Sequence, residues 1–301
     1  MKHLLKLEDL TESEILEILD LADKLKKENK KGIKHRILEG KTLGMIFSKA
    51  STRTRVSFET GIYQLGGIGL FLNGNELQLG RGEPIKDTAR VLSRYLDGIM
   101  IRTFKQSDVE DLAKYGSIPI INGLTDYCHP CQVLADLQTV REYKGGFKGL
   151  KLCYVGDGNN MANSLIAGCV RLGIRVAIAC PDKYRPDKAL TERAAKSGLL
   201  SIGSDIGEMI KDADVVYTDV WASMGMEAEK AEREKVFKGY QVNEKYLKYA
   251  KKDVVVLHCL PAHRGEEITD AVMEAHAAEI FDEAENRLHA QKAVMVKLMK
   301  G

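Results

Sequence analysis

The chain has 301 residues, of which 44% are hydrophobic and 29% charged, a composition typical of folded globular proteins rather than disordered or fibrous ones. Its 45 Lys and Arg residues against 43 Asp and Glu residues leave a net charge of +2, which does not favour a nucleic-acid or membrane binder. No apolar run approaches the roughly 20 residues that cross a bilayer, and Met1–Lys6 leads into charged sequence without a signal-peptide core. We therefore expect a cytoplasmic protein.

The first half of the chain predicts a helix followed by a βαβ succession. Thr11 and Glu14 have the spacing of a capping box, and apolar residues at helical spacing follow until the charged stretch Lys26–Lys31. Apolar runs of strand length then alternate with helical patterns, which is typical of a parallel sheet. The predicted strands are Thr42–Phe47, Gly98–Ile101 and Ile118–Asn122, and the predicted helices are Thr52–Gln64, Asp87–Tyr95, Ser107–Tyr115 and Val133–Lys144.

The same succession restarts after a turn at Gly145 and Gly146. Further strands are predicted at Lys151–Val155, Arg175–Ala179, Val215–Thr218 and Val254–His258, and helices at Met161–Leu172, Lys188–Ser197, Asp205–Lys211 and Val242–Lys248. A last helical pattern, Glu283–Met299, is expected to pack back on the first half. The sequence therefore predicts an α/β protein of two domains, 1–145 and 146–301, each a mostly parallel sheet flanked by helices and joined by an interdomain helix.

A dense polar stretch from Ser48 to Arg55 lies between the first predicted strand and the next helix. Hydroxyl groups, guanidinium groups and free backbone N–H groups meet there at a helix N-terminus, where the helix dipole also favours negative charge. A simple N-cap followed by two solvated arginines is the alternative. The repeated hydroxyl–arginine alternation at the end of a strand favours a phosphate or another compact oxyanion. The Gly-x-x-x-x-Gly-Lys-Ser/Thr pattern of a nucleotide P-loop does not occur, so an NTP-driven kinase is disfavoured.

A second stretch, Cys128-His129-Pro130-Cys131-Gln132, opens the helix after the third predicted strand. His129 and Gln132 are three residues apart in one helical turn, so both side chains face the same side and are able to hydrogen-bond a carbonyl oxygen and an amide. The Cys-x-x-Cys spacing also fits a redox dithiol or half of a zinc site, and this alternative stays open. The six cysteines are too few to form a disulfide framework in a chain of this length, and reduced thiols are expected.

The turn Gly156-Asp157-Gly158-Asn159-Asn160 follows the first strand of the second half. It resembles a dinucleotide-binding fingerprint, except that Met161 stands at the position of the third glycine. A nicotinamide-dependent dehydrogenase is therefore the second hypothesis. The two asparagines fit either a cap on the next helix or side-chain amides offered to a ligand.

Two further polar segments follow predicted strands of the second half, one beginning at Asp219 and the other at His258. A carboxylate, a hydroxyl and a thiol are thereby expected along one sheet edge. Cys259 has His258 beside it, but adjacent residues of a strand point to opposite faces, which disfavours a Cys–His nucleophilic pair.

Taken together, these motifs resemble the aspartate/ornithine carbamoyltransferase family. The run Ser51-Thr52-Arg53-Thr54-Arg55 is similar to the family's carbamoyl-phosphate loop, and His129-Pro130-Cys131-Gln132 is similar to its His-Pro-x-Gln motif. Asp219 with Ser223-Met224-Gly225, and His258-Cys259-Leu260-Pro261, resemble the ornithine branch of the family. The resemblance covers essentially the whole chain.

The resemblance implies a role for residues in both halves. Phosphate and carbamoyl contacts are implied for Ser51, Thr52, Arg53, Thr54, Gln78, Arg102, His129, Gln132, Cys259, Leu260 and Arg287. Contacts with ornithine are implied for Asn160, Asp219, Ser223 and Met224. Gln78 matches a loop residue that reaches the neighbouring subunit's site in the family, so a homotrimer or a multiple of trimers is implied.

The reaction implied is transfer of the carbamoyl group of carbamoyl phosphate to the δ-amine of L-ornithine, which gives L-citrulline and phosphate, a step of arginine biosynthesis. Arg102, His129, Thr54 and Cys259 are the residues implied in catalysis, and neither a metal nor an organic cofactor is expected. A non-catalytic descendant of the fold would lack site residues, and every motif named above is present.

Overall fold

A computed structural model describes residues 1–78, 82–222 and 227–300. The chain divides into two compact units, the first formed by Met1–Ala135 with Glu285–Gly301 and the second by Asp136–Ala284. No helix within the described ranges combines the length and apolar character needed to span a membrane.

The first unit contains a parallel sheet of four strands in the order β2-β1-β3-β4. Its strands are β1 Thr42–Phe47, β2 Ile68–Asn73, β3 Gly98–Arg102 and β4 Ile120–Leu124. Its helices are α1 Glu12–Lys30, α2 Thr52–Gln64, α3 Ile85–Leu92 and α4 Gln106–Tyr115. Helix α1 begins with the predicted capping box, because Thr11 accepts from the Glu14 N–H while the Glu14 carboxylate accepts from the Thr11 N–H.

The second unit contains a parallel sheet of five strands in the order β7-β6-β5-β8-β9. Its strands are β5 Lys151–Val155, β6 Arg175–Ala179, β7 Leu200–Gly203, β8 Val215–Thr218 and β9 Val255–His258. Its helices are α6 Asn160–Arg171, α7 Lys188–Ala195, α8 Ile206–Ile210, α9 Lys230–Phe237, α10 Glu244–Leu247 and α11 Asp270–Ala275.

Two helices run from one unit into the other. Helix α5, Pro130–Lys144, begins in the first unit and ends in the second, whereas α12, Ala277–Met299, begins in the second and ends in the first. The predicted fold class is confirmed: two α/β units with parallel sheets, a connecting helix and a C-terminal helix that returns to the first unit.

Several predicted elements were wrong in position or missed. Strand β4 begins at Ile120 rather than Ile118, because Pro119 lies between them and has no N–H to give to the sheet. The helix predicted from Val242 is only α10, because Val242 forms a bridge with Ile268 and Asn243 caps the helix by accepting from the Tyr246 N–H. Strands β2 and β7 and helices α9 and α11 were not predicted. Both missed strands lie at sheet edges and lack the continuous burial of central strands.

Candidate active site

The candidate anion site of the first unit lies where the strand order of its sheet reverses. The chain proceeds from β1 to β2 on one side and then to β3 on the other, which leaves a crevice beyond the carboxyl ends of β1 and β3. Phe47 and Arg102 are register partners at these ends, and the Ser48 N–H donates to the Arg102 carbonyl at 2.8 Å. The polar stretch after β1 therefore starts beside Arg102, whose side chain is buried.

Helix α2 begins inside this stretch. Ser51 is its N-cap and accepts from the Thr54 N–H at 3.2 Å, while the Ser51 hydroxyl also donates to Thr54 Oγ1 at 3.1 Å. Thr52 is exposed and Arg53 is half-buried. The N-terminal N–H groups and the dipole of this 13-residue helix thus lie in the same stretch as Arg53.

Arg287 of α12 links this helix start to the second motif. Its Nη1 donates to Gln132 Oε1 at 2.6 Å, and its Nη2 donates to Thr54 Oγ1 at 3.1 Å. All three side chains are buried. One guanidinium group therefore fixes a residue of α2 and a residue of α5, although the three residues are far apart in the sequence.

His129 precedes α5 and is buried in a cationic neighbourhood. Burial lowers the pKa of His129 well below its ordinary value, and the positive charges of Arg287 and Arg102 lower this pKa further. The imidazole is consequently neutral at physiological pH, and its N–H group is a hydrogen-bond donor that carries no charge.

Lys49 was not singled out from the sequence, although it belongs to the same polar stretch. Its buried ammonium group pairs with Asp126 and lies 4.4 Å from the centre of the Phe104 ring. These contacts hold the loop between β1 and α2 against the segments that follow β3 and β4. Only the tertiary contacts distinguish Lys49 from a solvated lysine.

The two cysteines of the Cys-x-x-Cys spacing face the protein interior. Burial raises the pKa of Cys128 and of Cys131 to about 12, so both are protonated thiols at neutral pH. Cys131 Sγ donates to the Asn122 carbonyl at 3.3 Å. Redox and zinc chemistry require accessible thiolates, and this environment does not favour them.

The second unit repeats the same arrangement at its own reversal of strand order, between β5 and β8. Asn159 caps α6 by accepting from the N–H groups of Met161 and Ala162, and its Nδ2 donates to Asp219 Oδ2 at 3.1 Å. Asn160, the first residue of α6, is buried beside it. The turn after β5 and the carboxylate after β8 thus form one polar group.

Gly158 of this turn serves the protein's own packing. A Cβ atom on Gly158 would lie 2.3 Å from the nitrogen of Pro186 and 2.4 Å from the carbonyl carbon of Arg185. The space that a dinucleotide fingerprint reserves for a pyrophosphate is filled here by backbone. Together with Met161 in place of the third glycine, this packing argues against a dehydrogenase.

Asp219 and Cys259 are in direct contact. Cys259 Sγ donates to Asp219 Oδ1 at 3.0 Å, and the same oxygen accepts from the Val220 N–H at 2.8 Å. Burial and the Asp219 carboxylate raise the pKa of the Cys259 thiol well above its ordinary value, so the thiol is not an activated nucleophile. The His258 ring bonds Glu267 and the Leu260 N–H instead, in agreement with the predicted opposite orientations of His258 and Cys259.

The remaining predicted site residues are Gln78, Leu260, Ser223 and Met224. Gln78 lies five residues beyond the end of β2 and is exposed. Leu260 has a left-handed backbone with φ of 54° and precedes a cis peptide bond to Pro261. Ser223 and Met224 lie outside the described residues.

Two groups in the described part of the chain have donor atoms close enough to hold a metal ion. They are Asp219, His258 and Cys259, and His263, Glu266 and Glu267, with donor atoms within 4.8 Å of one another in each group. The first group includes a protonated thiol and an imidazole with hydrogen bonds at both nitrogens, an arrangement that serves packing without a metal.

Two domain models of one enzyme family together match almost the whole chain. Residues 2–142 match the carbamoyl-P binding domain of aspartate/ornithine carbamoyltransferase, and residues 148–298 match its Asp/Orn binding domain. The chain therefore belongs to the aspartate/ornithine carbamoyltransferase family.

Proteins similar over the full length bear the name ornithine carbamoyltransferase. One from Oceanobacillus iheyensis is 57% identical over 99% of this chain and 94% of its own length, and one from Thermococcus kodakarensis is 57% identical over 100% and 97%. The solved structure of ornithine carbamoyltransferase from Pyrococcus furiosus superimposes with a TM-score of 0.95 at 54% identity, covering 100% of this chain and 97% of that one. The anabolic ornithine carbamoyltransferase from Campylobacter jejuni gives 0.93 at 44% identity over 99% of both chains.

The buried state of Cys131 leads to the first prediction. Cys131→Ser keeps a small side chain able to donate to the Asn122 carbonyl and leaves His129 and Gln132 in place, so carbamoyl transfer should fall by less than about tenfold. Chelators should leave the rate unchanged. Steady-state rates before and after dialysis against a chelator measure both effects, and loss of activity in either case would contradict the assignment.

Proposed function

We propose that this protein transfers the carbamoyl group of carbamoyl phosphate to the δ-amine of L-ornithine, producing L-citrulline and phosphate. The observation that carries the proposal is that the buried Arg287 guanidinium group donates to both Thr54 and Gln132. These two hydrogen bonds bring the phosphate-loop motif and the His-Pro-x-Gln motif together around one positive charge. The full-length similarity to ornithine carbamoyltransferases supports ornithine as the acceptor.

We assign the two substrates to the two halves of the chain, with carbamoyl phosphate in domain 1–145 and ornithine in domain 146–301. The helix N-terminus at Ser51 and Thr52, with Arg53, suits a dianionic phosphate. The buried carboxylate of Asp219 suits the α-ammonium group of ornithine, with Asn160, Ser223 and Met224 completing that site. Gln78, Leu260 and Cys259 complete the surroundings of the carbamoyl group.

In the proposed mechanism the neutral δ-amine attacks the carbamoyl carbon and forms a C–N bond. Negative charge develops on the carbamoyl oxygen, where Arg102, neutral His129 and the Thr54 hydroxyl are hydrogen-bond donors. A preorganised donor of this kind contributes roughly 3–4 kcal/mol to transition-state stabilisation. The intermediate then collapses, the C–O bond to phosphate breaks, and the amine gives up its proton. No step draws electrons from or returns them to a cofactor.

The direct test is citrulline formation from carbamoyl phosphate with purified protein. Ornithine, aspartate, putrescine and N-acetylornithine are supplied in turn as the acceptor. Activity confined to ornithine supports the proposal. Equal use of putrescine would contradict the role assigned to Asp219, because putrescine lacks the α-ammonium and α-carboxylate groups.

The phosphate assignment predicts the effect of Arg53→Ala. Losing a charge-assisted hydrogen bond to phosphate should weaken carbamoyl-phosphate binding by about 10- to 150-fold and leave the melting temperature unchanged, because Arg53 is only half-buried. Calorimetric titration with carbamoyl phosphate measures the dissociation constant. Lys24→Ala, at an exposed position of α1, is the control that changes neither quantity. An unaltered affinity of Arg53→Ala for carbamoyl phosphate would contradict the phosphate-loop assignment.

The acceptor assignment predicts the effect of Asp219→Asn. Removing a charged partner from a buried site should lower kcat/KM for ornithine by roughly 30- to 1,000-fold while carbamoyl-phosphate affinity stays within about twofold. Asp214→Asn is a matched control, because Asp214 is a buried carboxylate at the opposite end of β8 that accepts from the Lys151 N–H at 2.9 Å and from Lys251 Nζ at 2.7 Å. Equal kinetic losses in the two variants would show that Asp219 serves structure only.

We also propose a homotrimer, or a multiple of trimers, working in the cytoplasm in arginine biosynthesis. Edge strand β2 and the adjoining face of α2 leave several apolar side chains exposed, as an oligomer interface does. The exposed fractions are 79% for Tyr63, 62% for Ile68, 54% for Val56, 43% for Leu70 and 39% for Phe71. Gln78 lies seven residues beyond Phe71 in the chain and is exposed, which suits a residue donated to a neighbouring subunit. Six free cysteines accord with a reducing compartment.

The trimer proposal predicts that Ile68→Glu dissociates the protein and abolishes activity. Ile33→Glu, at another exposed isoleucine, is the control that leaves the mass in solution unchanged. Light scattering coupled to gel filtration measures the mass. Mixing Arg53→Ala and Gln78→Ala subunits, assayed at a carbamoyl-phosphate concentration too low to saturate either variant, should restore part of the activity, because some sites then receive both intact residues. A fully active monomer of Ile68→Glu would refute the proposal.

A further inference from the structure

The turn that follows β9 is held by a side chain that the proposed mechanism does not use. Leu260 has a φ of 54°, a left-handed conformation that costs free energy for residues that have a Cβ atom. Its N–H donates to His258 Nδ1 at 2.9 Å. The ring of the last residue of β9 thus stabilises the strained residue two positions later.

This hydrogen bond fixes the protonation of the imidazole. A backbone N–H has no lone pair, so Nδ1 must be the unprotonated nitrogen and Nε2 must carry the hydrogen. His258 Nε2 accordingly donates to Glu267 Oε1 at 3.0 Å. Both side chains are fully buried, with exposed fractions of 1% and 0%.

Glu267 also closes the loop that contains Leu260. Its Oε1 accepts from the His263 N–H at 2.6 Å, so one carboxylate oxygen holds the ring before the turn and the backbone after it. The Glu267 carbonyl accepts from the Val242 N–H at 2.8 Å, which anchors the residue to a neighbouring segment.

The backbone of His258 is anchored independently of its ring. Its N–H donates to Glu283 Oε2 at 2.9 Å, and Glu283 Oε1 accepts from the Tyr217 hydroxyl at 3.1 Å. Strand β9 therefore has its own attachment to β8 and α12 when the imidazole is replaced. Loss of the ring removes the support of Leu260 without removing the support of the strand.

We propose that Glu267 and His258 are positioning residues whose function is to hold the backbone of Leu260, and the adjacent Cys259, in the geometry used by the carbamoyl-transfer reaction. Glu267 selects the Nε2–H tautomer, and that tautomer offers Nδ1 to the Leu260 N–H. The inference rests on the proposed function, because Leu260 and Cys259 matter to catalysis only if they border the carbamoyl group.

Two substitutions of nearly equal size separate positioning from packing. The side chain of His258→Asn is able to accept from the N–H two residues ahead, as asparagine does in Asx turns, whereas that of His258→Leu has no acceptor. We expect kcat of the leucine variant to fall at least about tenfold below that of the asparagine variant, with carbamoyl-phosphate affinity equal within about threefold. Val256→Ala, a buried core residue of the same strand, is the control for lost stability.

The outcomes are separable. Inactive wild-type protein would refute the proposed function itself, whereas an active wild type with equal kcat in the asparagine and leucine variants would overturn only the positioning role. If the leucine variant does not fold, nitrogen NMR of ¹⁵N-histidine-labelled wild-type protein determines the tautomer of His258. The signal is assigned by its absence from the spectrum of His258→Asn. A neutral Nε2–H tautomer supports the proposal, and a neutral Nδ1–H tautomer overturns it.

Discussion

The first unit depends on a single guanidinium group that reaches two motifs from a third part of the chain. Arg287 spans Thr54 and Gln132 with two N–H groups of one rigid fork, so the relative position of α2 and α5 at their starts is fixed by planar geometry rather than by flexible side chains. Burying a cation is costly unless other groups compensate it, and here the oxygens of Gln132 and Thr54 accept hydrogen bonds from the guanidinium group. Burial, and after it the positive charges of Arg287 and Arg102, lower the pKa of His129, so the imidazole stays neutral and its N–H group remains a donor.

The second unit uses the same sheet architecture with the opposite charge. At its strand reversal a buried carboxylate, Asp219, accepts from an amide and a thiol, and all three groups lie after the carboxyl ends of strands. A carboxylate favours an ammonium group, just as guanidinium groups favour phosphate. The two charge signs at equivalent places of two similar sheets match a reaction between an anion and an amino acid.

Gly158 and Cys259 of the second unit show how the neighbours of a residue determine its role. The backbone at Pro186 fills the space beside Gly158, so a motif that resembles a dinucleotide site serves the packing of the protein. Cys259, which looks like a nucleophile, is a protonated donor to Asp219. In both cases the residue type is consistent with two chemistries, and the neighbours select one.

Elements with local signals could be predicted from the amino-acid sequence. The central strands β1, β5, β6 and β8 have the predicted bounds, because buried apolar runs and their turns lie within a few residues of each other, and the Thr11 cap acts over three. Each motif was likewise recognisable as a short contiguous pattern. Tertiary structure alone decided which motifs meet: the Arg287 fork, the Lys49–Asp126 pair and the Glu267–His258–Leu260 chain join residues through the fold, and no spacing encodes them. Edge strands β2 and β7 were missed for the same reason, since their pairing with β1 and β6, rather than their own burial, makes them strands.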